Sequence, residues 1–386
     1  MQKNCDLLIV GCGFTGSVVA RYAADMGKKV HIIERRCHIA GNMYDYVDEN
    51  GFLVQKYGPH TFHTTNKELY DYILQYGEWE EYKLTCMAQI DGKFTPTPFN
   101  FQTIDDFYEK EKAAALKERI AQIYGDAEKT TIVEMLESED ALIKEYADFL
   151  FEKDYSLYTA KQWGISPKEI DVSVLKRVPV LFSYKTGYFD DPYQVMPKIS
   201  FTHFFENMLD NENIKISLNT DARDIIKVKD GILYINGEKA QIPVLYTGAC
   251  DELLDYKHGI LPYRSLRFDL KCENTDSFQD APVVAYPQAQ GYTRITEYTK
   301  IPYQKTNGKT VVAVEYPLAY DPYKKAEPYY PILTEKNNAM YQKYRKELDN
   351  VENLYLGGRL ADFKYYNMDQ TLEKAIELSQ KICSRF

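Results

Sequence analysis

The sequence of 386 residues predicts an α/β fold in which a parallel sheet with covering helices is joined to a helical insert and an antiparallel sheet. Three observations predict this fold. The chain opens on a strand, a glycine-rich turn and a helix; its middle is rich in charged, helix-forming residues; and later segments alternate in short runs between turns. Such a length allows about two or three domains.

The opening stretch, LLIVGCGFTGSVVARYAADMGKKVHIIERR (residues 7 to 36), predicts a strand, a helix and a second strand. Gly11, Gly13 and Gly16 stand between the first strand and the helix. The first allows a tight turn, the second lets a pyrophosphate approach the backbone, and the third lets helix and strand pack closely. Glu34 ends the second strand, where a carboxylate binds an adenosine ribose and disfavours the 2′-phosphate of NADP. The unit therefore predicts dinucleotide binding at a helix N-terminus.

The rest of the chain falls into three regions. Residues from about 101 to 160 combine charge with apolar positions at helical spacing and predict a helical insert. Segments between about 215 and 320, including GILYING, RSLRFDLKC and TVVAVEYP, predict an antiparallel sheet. The end returns to a strand, a Gly-Gly turn and a helix. Dinucleotide-type units at both ends favour one long cofactor, FAD rather than NAD; alternatively, the last unit only closes the sheet.

Composition excludes several classes of partner. Lys and Arg total 47 against 57 Asp and Glu, and the net charge of −10 argues against a nucleic-acid or anionic membrane surface. The seven cysteines are scattered without a Cys-x-x-Cys pair, which favours reduced thiols in a cytoplasm. Outside the opening stretch no apolar run approaches about 18 residues, so no membrane span is expected. The 34 tyrosines would suit a polar, ring-bearing ligand such as a sugar nucleotide.

A series of motifs occurs in a fixed order along nearly the whole chain: VGCGFTG, IIERRCHIAGNMYD, YGPHTFHT, YTAKQWG, VLKRVPV, YFDDPYQVMPK, PYRSLRF, YTRITE, EYPL, EPYYPI and GGRLADFKYYNMD. In that order the motifs resemble the bacterial UDP-galactopyranose mutases. The resemblance implies an FAD-binding Rossmann-type domain, a helical insert domain with a mobile loop, and an antiparallel β-sheet domain. The implied bounds are 1–80, 190–245 and 335–386 for the first, 98–175 for the second, and 81–97, 176–189 and 246–334 for the third.

The family resemblance also implies a function. The implied enzyme is a flavoprotein isomerase that interconverts UDP-galactopyranose and UDP-galactofuranose for cell surface polysaccharide. In the family mechanism, N5 of reduced FAD attacks sugar C1 and displaces UDP, and UDP returns after the sugar ring has opened and reclosed. The family further implies a cytoplasmic homodimer. Three alternatives stay open: a mutase preferring an N-acetylated UDP-hexose; a flavin-dependent amine-oxidase-like oxidoreductase, which would need no diphosphate clamp; and a cofactor-binding module without catalysis, which Asn367 would favour.

Substrate residues are assigned by the same resemblance. Arg177 and Arg294 match the two arginines that clamp the diphosphate, where guanidinium groups form charge-assisted, bidentate bonds. Tyr158 matches the tyrosine that stacks on uracil, and Trp163 the tryptophan beside the sugar. The tyrosines implied to hydrogen-bond the diphosphate are Tyr188, Tyr316 and Tyr365. The catalytic group implied by the family comprises Arg177, Arg294, His63, Trp163, Tyr365 and Asn367.

Cofactor residues are assigned partly by the glycine motif and partly by the resemblance. They are Gly11, Gly13, Phe14, Thr15, Gly16, Glu34, Arg35, Asn42, His60, Gly358, Arg359 and Met368. His60 and His63 could also suggest a metal, but no third ligand presents itself. Two positions depart from the family pattern. Ala40 replaces a usual glycine and would fit only if its backbone avoids positive φ. Asn367 stands where relatives often have Asp, so hydrogen bonding is kept but the charge is lost.

Overall fold

The computed structural model describes residues 4–164, 175, 178–324 and 326–386. The strands are β1 (Leu7–Val10), β2 (Val30–Ile33), β3 (Asp45–Val47), β4 (Leu53–Gln55), β5 (Phe62–Thr64), β6 (Trp79–Glu81), β7 (Cys86–Ile90), β8 (Lys93–Thr97), β9 (Lys129–Thr131), β10 (Pro179–Leu181), β11 (Tyr193–Pro197), β12 (Ile214–Ser217), β13 (Ile226–Lys229), β14 (Ile232–Ile235), β15 (Glu238–Lys239), β16 (Val244–Tyr246), β17 (Tyr263–Glu273), β18 (Val283–Ala285), β19 (Arg294–Glu297), β20 (Thr310–Ala319), β21 (Tyr330–Pro331) and β22 (Leu354–Leu356). The helices are α1 (Phe14–Asp25), α2 (Lys67–Leu74), α3 (Phe101–Phe107), α4 (Lys110–Tyr124), α5 (Ile132–Leu136), α6 (Ala141–Leu150), α7 (Ser156–Trp163), α8 (Phe201–Leu209), α9 (Cys250–Leu253), α10 (Glu335–Leu348) and α11 (Met368–Cys383).

A five-stranded parallel sheet forms the first layer of the molecule, in the order β12, β2, β1, β16, β22. Its strands come from the beginning, the middle and the end of the chain. All four residues of β1 and all four of β2 are buried, which explains why β1 is a continuous apolar run and β2 is apolar apart from His31. α1 packs against both α11 and α8. The first and last helices of the chain thus lie side by side next to this sheet.

The predicted helical insert is present as α3 to α7. Its apolar core includes Ile120, Ile143 and Leu150, and the side chain of Asn100 caps α3 through the amide N–H groups of Gln102 and Thr103. Between α6 and α7 the helix contains a π-helical segment, Phe151–Tyr155. Such segments are often found at functional sites because they change the direction in which the following side chains point.

A seven-stranded sheet forms the third region, in the order β21, β17, β20, β19, β18, β7, β8. Its pairs are antiparallel apart from β18 and β7, which run parallel. One predicted member is elsewhere: GILYING contributes β14, which pairs with β13 and β15 in a small separate sheet. That segment alternates like a sheet strand, and alternation alone does not decide which sheet a strand joins.

Ala40 departs from the expectation drawn from its sequence. The residue adopts φ 69° and ψ −1°, the left-handed conformation that a glycine would occupy without strain. The chain turns sharply here into a short 3₁₀ segment, Gly41–Met43, and Gly13 lies so close that a β-carbon on Gly41 would come within 2.8 Å of its α-carbon. The close approach of Gly41 to Gly13 therefore fixes the turn, and Ala40 adopts a strained, positive φ.

All seven cysteines are free thiols. Within the described ranges, no helix has both the length and the apolar character needed to cross a bilayer.

Candidate active site

One cavity is lined by every residue assigned above to cofactor binding, from Gly11 to Met368. It runs from the glycine turn after β1, past the end of β2, to the N-terminus of α11. The space between its walls, including the part open to solvent, is about 1190 Å³. Residues assigned from the two ends of the sequence are thus brought onto the walls of the same cavity.

The glycine turn has the tight geometry that its spacing predicts. A β-carbon on Gly16 would stand 2.0 Å from the carbonyl oxygen of Gly11, so only glycine lets α1 approach the turn this closely. Gly11 itself has φ +100°. The backbone N–H groups at the start of α1 therefore remain close to the cavity, where a phosphate could accept them.

The carboxylate of Glu34 is fixed at the end of β2. Its two oxygens accept the backbone N–H groups of Cys12 at 2.8 Å and Arg36 at 2.9 Å. The side chain is buried and lines the cavity, so it is held ready to accept hydroxyl groups of a ribose. The predicted place of Glu34 thus agrees with its geometry.

The other end of the cavity contains an unsatisfied donor. Nε of Arg359 is buried and has no hydrogen-bond partner in the described part of the chain. Its guanidinium lies 4.8 Å from the ring centre of Tyr365 and 5.7 Å from that of Tyr330. A buried guanidinium N–H without an acceptor favours an anionic or carbonyl-bearing ligand in the cavity. Together with the glycine turn and Glu34, this donor fits a flavin dinucleotide.

Sequence reasoning missed several residues at the ribose end of the cavity. The wall there includes Thr220, Asp221, Ala222 and Arg223, which follow β12. Strands β12 and β2 are neighbours in the parallel sheet, so the segments after them meet at the same edge. Only knowledge of that pairing could have placed this segment in the site.

Arg294, the predicted diphosphate ligand on β19, is held by Glu315 of β20. One carboxylate oxygen accepts Nε at 2.8 Å and Nη2 at 2.7 Å, and the Glu315 side chain is only 2% exposed. Burial acts to lower the pKa of Arg294, but the carboxylate of Glu315 holds that pKa well above its usual range. Nη1 makes no hydrogen bond to the residues described here. The guanidinium is therefore permanently charged, oriented and able to bind an anion through its free nitrogen.

Tyrosine side chains surround this guanidinium. Burial raises the pKa values of Tyr158 and Tyr188, while the nearby charge of Arg294 opposes both shifts. Burial likewise raises the pKa of Tyr330 to about 12, again opposed by Arg294. The ring of Tyr330 lies 5.7 Å from that of Tyr365. Tyr158, Tyr188 and Tyr365 were predicted here, whereas Tyr330 was missed although its motif, EPYYPI, had been recognised.

Tyr316 is not part of this cluster, contrary to the assignment from sequence. Strand β20 alternates, so Tyr316 points to the opposite face of the sheet from its neighbour Glu315. Its ring lies beneath the guanidinium of Arg267 at 4.2 Å and packs against Tyr292. Tyr330, on β21, takes the place expected for it.

His60 and His63 lie in different surroundings. His60 lines the cofactor cavity, and burial together with Arg359 and Arg294 lowers its pKa to about 4. His63, assigned above to catalysis, is 9% exposed. Its ring centre lies 3.6 Å from that of Phe189, and its Nδ1 lies 2.9 Å from Oδ2 of Asp191. Its side chain does not line the cavity and packs instead against the segment that precedes β11. Within the described residues, no three His, Cys, Asp or Glu side chains gather as metal ligands.

Three predicted site residues remain: Asn367, Trp163 and Arg177. Asn367 immediately precedes α11 and its backbone N–H donates to Oε1 of Gln370 at 2.9 Å, so it starts the helix whose first residue lines the cavity. Trp163 ends α7, and its side chain lies outside the described structure. Arg177 also lies outside the described residues.

Asp154 is a further residue that sequence reasoning did not identify. It lies in the π-helical segment one turn before Tyr158, it accepts no hydrogen bond from any described residue, and burial raises its pKa to about 7. Its charge also acts on Tyr188, which places the carboxyl beside the tyrosine cluster. An unpartnered carboxyl here would carry a proton over part of the neutral pH range.

Comparisons with known proteins identify relatives of this chain. A family model described as UDP-galactopyranose mutase matches residues 153–365, and a model of an NAD(P)-binding Rossmann-like domain matches residues 9–76. The dTDP-fucopyranose mutase of Escherichia coli is 33% identical over 97% of this chain and 97% of its own length. A probable UDP-galactopyranose mutase of Klebsiella pneumoniae is 33% identical over 99% of this chain and 96% of its own.

A solved structure shows the same fold. The crystal structure of a reduced UDP-galactopyranose mutase superposes with a TM-score of 0.74 at 16% identity, covering 99% of this chain and 94% of the other. This likeness confirms the predicted α/β fold class. The resemblance inferred from the motifs is confirmed by the family model and by the relatives across their whole length. The chain belongs to the UDP-galactopyranose mutase family.

Proposed function

We propose that this protein is an FAD-dependent isomerase that interconverts UDP-galactopyranose and UDP-galactofuranose. The observation that carries the proposal is the position of Arg294 beside the cofactor cavity. His60 lines that cavity, and its pKa is lowered by burial and by the nearby charges of Arg359 and Arg294. An oriented guanidinium therefore lies next to a dinucleotide cavity, where a nucleoside diphosphate leaving group would need it.

FAD suits the cavity better than a mononucleotide. The walls continue past the glycine turn to Glu34 and Arg223, which gives room for an adenosine half. Reduced FAD bound there would supply a nucleophilic nitrogen, N5, for the anomeric carbon of the sugar. The N-terminus of α11, at Met368, faces the cavity, and its partial positive charge would stabilise a reduced, anionic flavin.

The residues of the chain have separate tasks in this proposal. Arg294 holds the departing diphosphate through Nη1 while Glu315 keeps its other nitrogens in place. Tyr330 and Tyr365 donate hydroxyl groups to the same phosphates, and Tyr158 supplies a ring on which a pyrimidine can stack. Burial, together with Arg359 and Arg294, lowers the pKa of His60 to about 4, so it is neutral near pH 7 and adds no further charge to the sugar pocket.

The two named relatives define the choice of substrate. One is a dTDP-fucopyranose mutase and the other a probable UDP-galactopyranose mutase, at equal identity. Both names describe a nucleoside diphosphate joined to a hexopyranose. We place UDP-galactose first because the family model carries that name. A dTDP-hexose is the second candidate, supported by the E. coli relative.

The test uses the purified, flavin-loaded protein. Heat-released cofactor is identified by chromatography, and the protein is reduced with dithionite and given UDP-galactofuranose or dTDP-fucofuranose in parallel. We expect FAD, and conversion to the pyranose with UDP-galactofuranose as the faster substrate. Arg294→Lys should abolish most turnover, while the matched variant Arg267→Lys, on the other face of the sheet, should keep it. Absence of conversion of either sugar nucleotide by the reduced protein would refute the proposal.

We also propose that the enzyme works as a cytoplasmic homodimer. Its free thiols suit a reducing compartment, and the family resemblance favours a dimer. Sedimentation equilibrium should give twice the chain mass of 44.9 kDa; a monomer at micromolar concentration would contradict the dimer.

A further inference from the structure

The last turn of α7 is held by two cations, the half-buried Lys161 and the buried Arg264, whose hydrogen bonds to described residues go to backbone carbonyl groups. Nζ of Lys161 donates to the carbonyl oxygens of Tyr286 at 2.6 Å, Ala289 at 2.8 Å and Tyr292 at 2.9 Å, in the segment around β18 and β19. Nε of Arg264, from β17, donates to the carbonyl oxygen of Gln162 at 2.9 Å. The helix is thus tied to the sheet at two separate places by cations bound to carbonyl groups.

The contact made by Arg264 is unusually close. Its guanidinium lies against Gly164, where a β-carbon would come within 2.6 Å of Nη1. Gly164 ends α7 in the left-handed conformation, φ 65° and ψ 36°, and its N–H donates to the carbonyl of Ala160 at 2.8 Å. This is a glycine-terminated helix end, and the side chain of Arg264 satisfies one of the final carbonyls that the helix leaves unpaired.

The charge of Arg264 makes this arrangement costly. The residue is 9% exposed, and burial without any opposing carboxylate lowers its pKa. A buried guanidinium without a counter-ion costs several kcal/mol unless dipoles replace the ion. The negative end of the α7 dipole is the compensation that the structure supplies. An apolar side chain would fill the same space without this desolvation cost. The presence of a guanidinium group here therefore favours a role beyond packing.

Arg264 connects the two walls of the proposed substrate site. α7 carries Tyr158, and it packs against β20, the strand of Glu315. β17 runs beside β20 with Phe268 opposite Glu315, so the strand of Arg264 also supports the pair that orients Arg294. We propose that Arg264 is a positioning residue that fixes the end of α7, and with it the separation of Tyr158 from Arg294. This inference rests on the proposed function, in which these two side chains bind one nucleoside diphosphate.

The test compares Arg264→Met, which keeps the bulk, with Arg264→Lys, which keeps the charge. Arg267→Met, on the same strand but with a side chain 52% exposed on the other face, is the matched control. We expect Arg264→Met to weaken UDP binding by calorimetry about tenfold and to raise KM more than it lowers kcat, at unchanged flavin content. Arg264→Lys should recover part of the affinity. Hydrogen exchange of the Gly164 amide should be faster in Arg264→Met.

Each outcome has one meaning. A lower melting temperature with UDP affinity and KM within twofold of the original would show a structural role only, and would overturn the inference. If Arg264→Met does not fold, the Lys variant decides: unchanged UDP affinity and unchanged Gly164 exchange would also overturn it. If the original protein shows no mutase activity, the proposed function fails on its own, and exchange at Gly164 still reports whether Arg264 fixes the helix end.

Discussion

Arg294 and Glu315 form a buried ion pair in which a single carboxylate oxygen receives two guanidinium nitrogens, at 2.8 and 2.7 Å. The pair joins neighbouring strands directly across from each other. It leaves Nη1 as the nitrogen that can reach a ligand. The orientation of the Arg294 guanidinium therefore depends on the carboxylate of Glu315, which need not contact the substrate.

Glu315→Gln tests this dependence. The amide keeps the shape but removes the charge that holds Arg294, so we expect UDP affinity to fall at least tenfold and unfolding free energy to fall by about 3 kcal/mol. Calorimetry and urea unfolding measure the two effects. Asp269→Asn is the matched control, because its pair with Arg267 is 35% and 52% exposed, and about 0.5 kcal/mol or less is expected. Equal losses in both variants would contradict this view of Glu315.

Ala40→Gly is expected to stabilise the protein. Ala40 has φ 69°, where an alanine carries a strain of about 1 to 2 kcal/mol that glycine avoids, against a smaller entropy cost for glycine. A net gain of about 0.5 to 1 kcal/mol should appear in urea unfolding. Ala20→Gly, in the interior of α1, provides the opposite control and should lose about 1 kcal/mol. A loss in both variants would argue against strain at Ala40.

Gly16→Ala should prevent cofactor binding. Its β-carbon would meet the Gly11 carbonyl at 2.0 Å, which forces α1 away from the glycine turn. Absorbance near the flavin bands should show little or no bound flavin after purification. Gly77→Ala has nothing within 4 Å of the added atom and should bind flavin normally. Full flavin content in Gly16→Ala would mean that the turn tolerates a wider approach than the structure shows.

Asp154→Asn should stabilise the protein in a pH-dependent way. Burial raises the pKa of Asp154 from 3.8 to about 7, so between these values the folded protein retains a proton that the unfolded chain has released. Above pH 7 both states have lost it, and the folded state carries the full cost of a poorly solvated carboxylate. We expect a gain on the order of 1 to 2 kcal/mol at pH 8 that disappears toward pH 4, after allowing for partial exposure.

Thermal unfolding at several pH values measures the effect of Asp154→Asn. The exposed Asp148, on α6, supplies the control variant Asp148→Asn, which should leave the pH profile unchanged. A stability gain for Asp154→Asn that is the same at pH 4 and pH 8 would exclude the carboxylate as its cause.

His60→Gln should flatten the acid side of the stability profile. The pKa of His60 is lowered from 6.5 to about 4, so between these values the unfolded chain binds a proton that the folded protein does not. Stability is therefore lost as pH falls from 6.5 toward 4, and glutamine removes that component. Melting temperatures between pH 7 and 4.5 should fall less in this variant. His203→Gln, at a side chain that is 40% exposed on α8, should keep the original slope.

Local signals in the sequence were sufficient to predict which residues line the cavity beside the glycine turn. The glycine turn, Glu34 and the final strand, turn and helix each occupy one short stretch, and each stretch has the geometry that its sequence predicts. The substrate side depends on which strands pair and which face a residue takes. For that reason Glu315 and Tyr330 were not predicted, and Tyr316, assigned to the diphosphate, lies beside Arg267 on the face opposite Glu315. A shift of one residue along a strand reverses the face, and spacing between motifs does not reveal it.

The close backbone contact at Ala40 could not be inferred either. A residue-by-residue comparison with the family pattern identifies the substitution, but φ is set by the approach of Gly41 to Gly13. Asp154 could not be predicted because a single acidic residue on a charged helix gives no distinctive sequence pattern. Its raised pKa comes from burial beside Tyr188, and this burial exists only after the helix has packed.

The cofactor cavity has a consequence for biosynthesis. Gly11 and Gly13 are synthesised well before Gly358, Arg359 and Met368, which lie on the wall of the same cavity. The nascent polypeptide cannot form the complete flavin site until that later segment is available, although earlier regions can already begin to collapse. Flavin loading is therefore expected to follow synthesis, and flavin shortage in a cell should leave complete, open chains that are exposed to proteolysis.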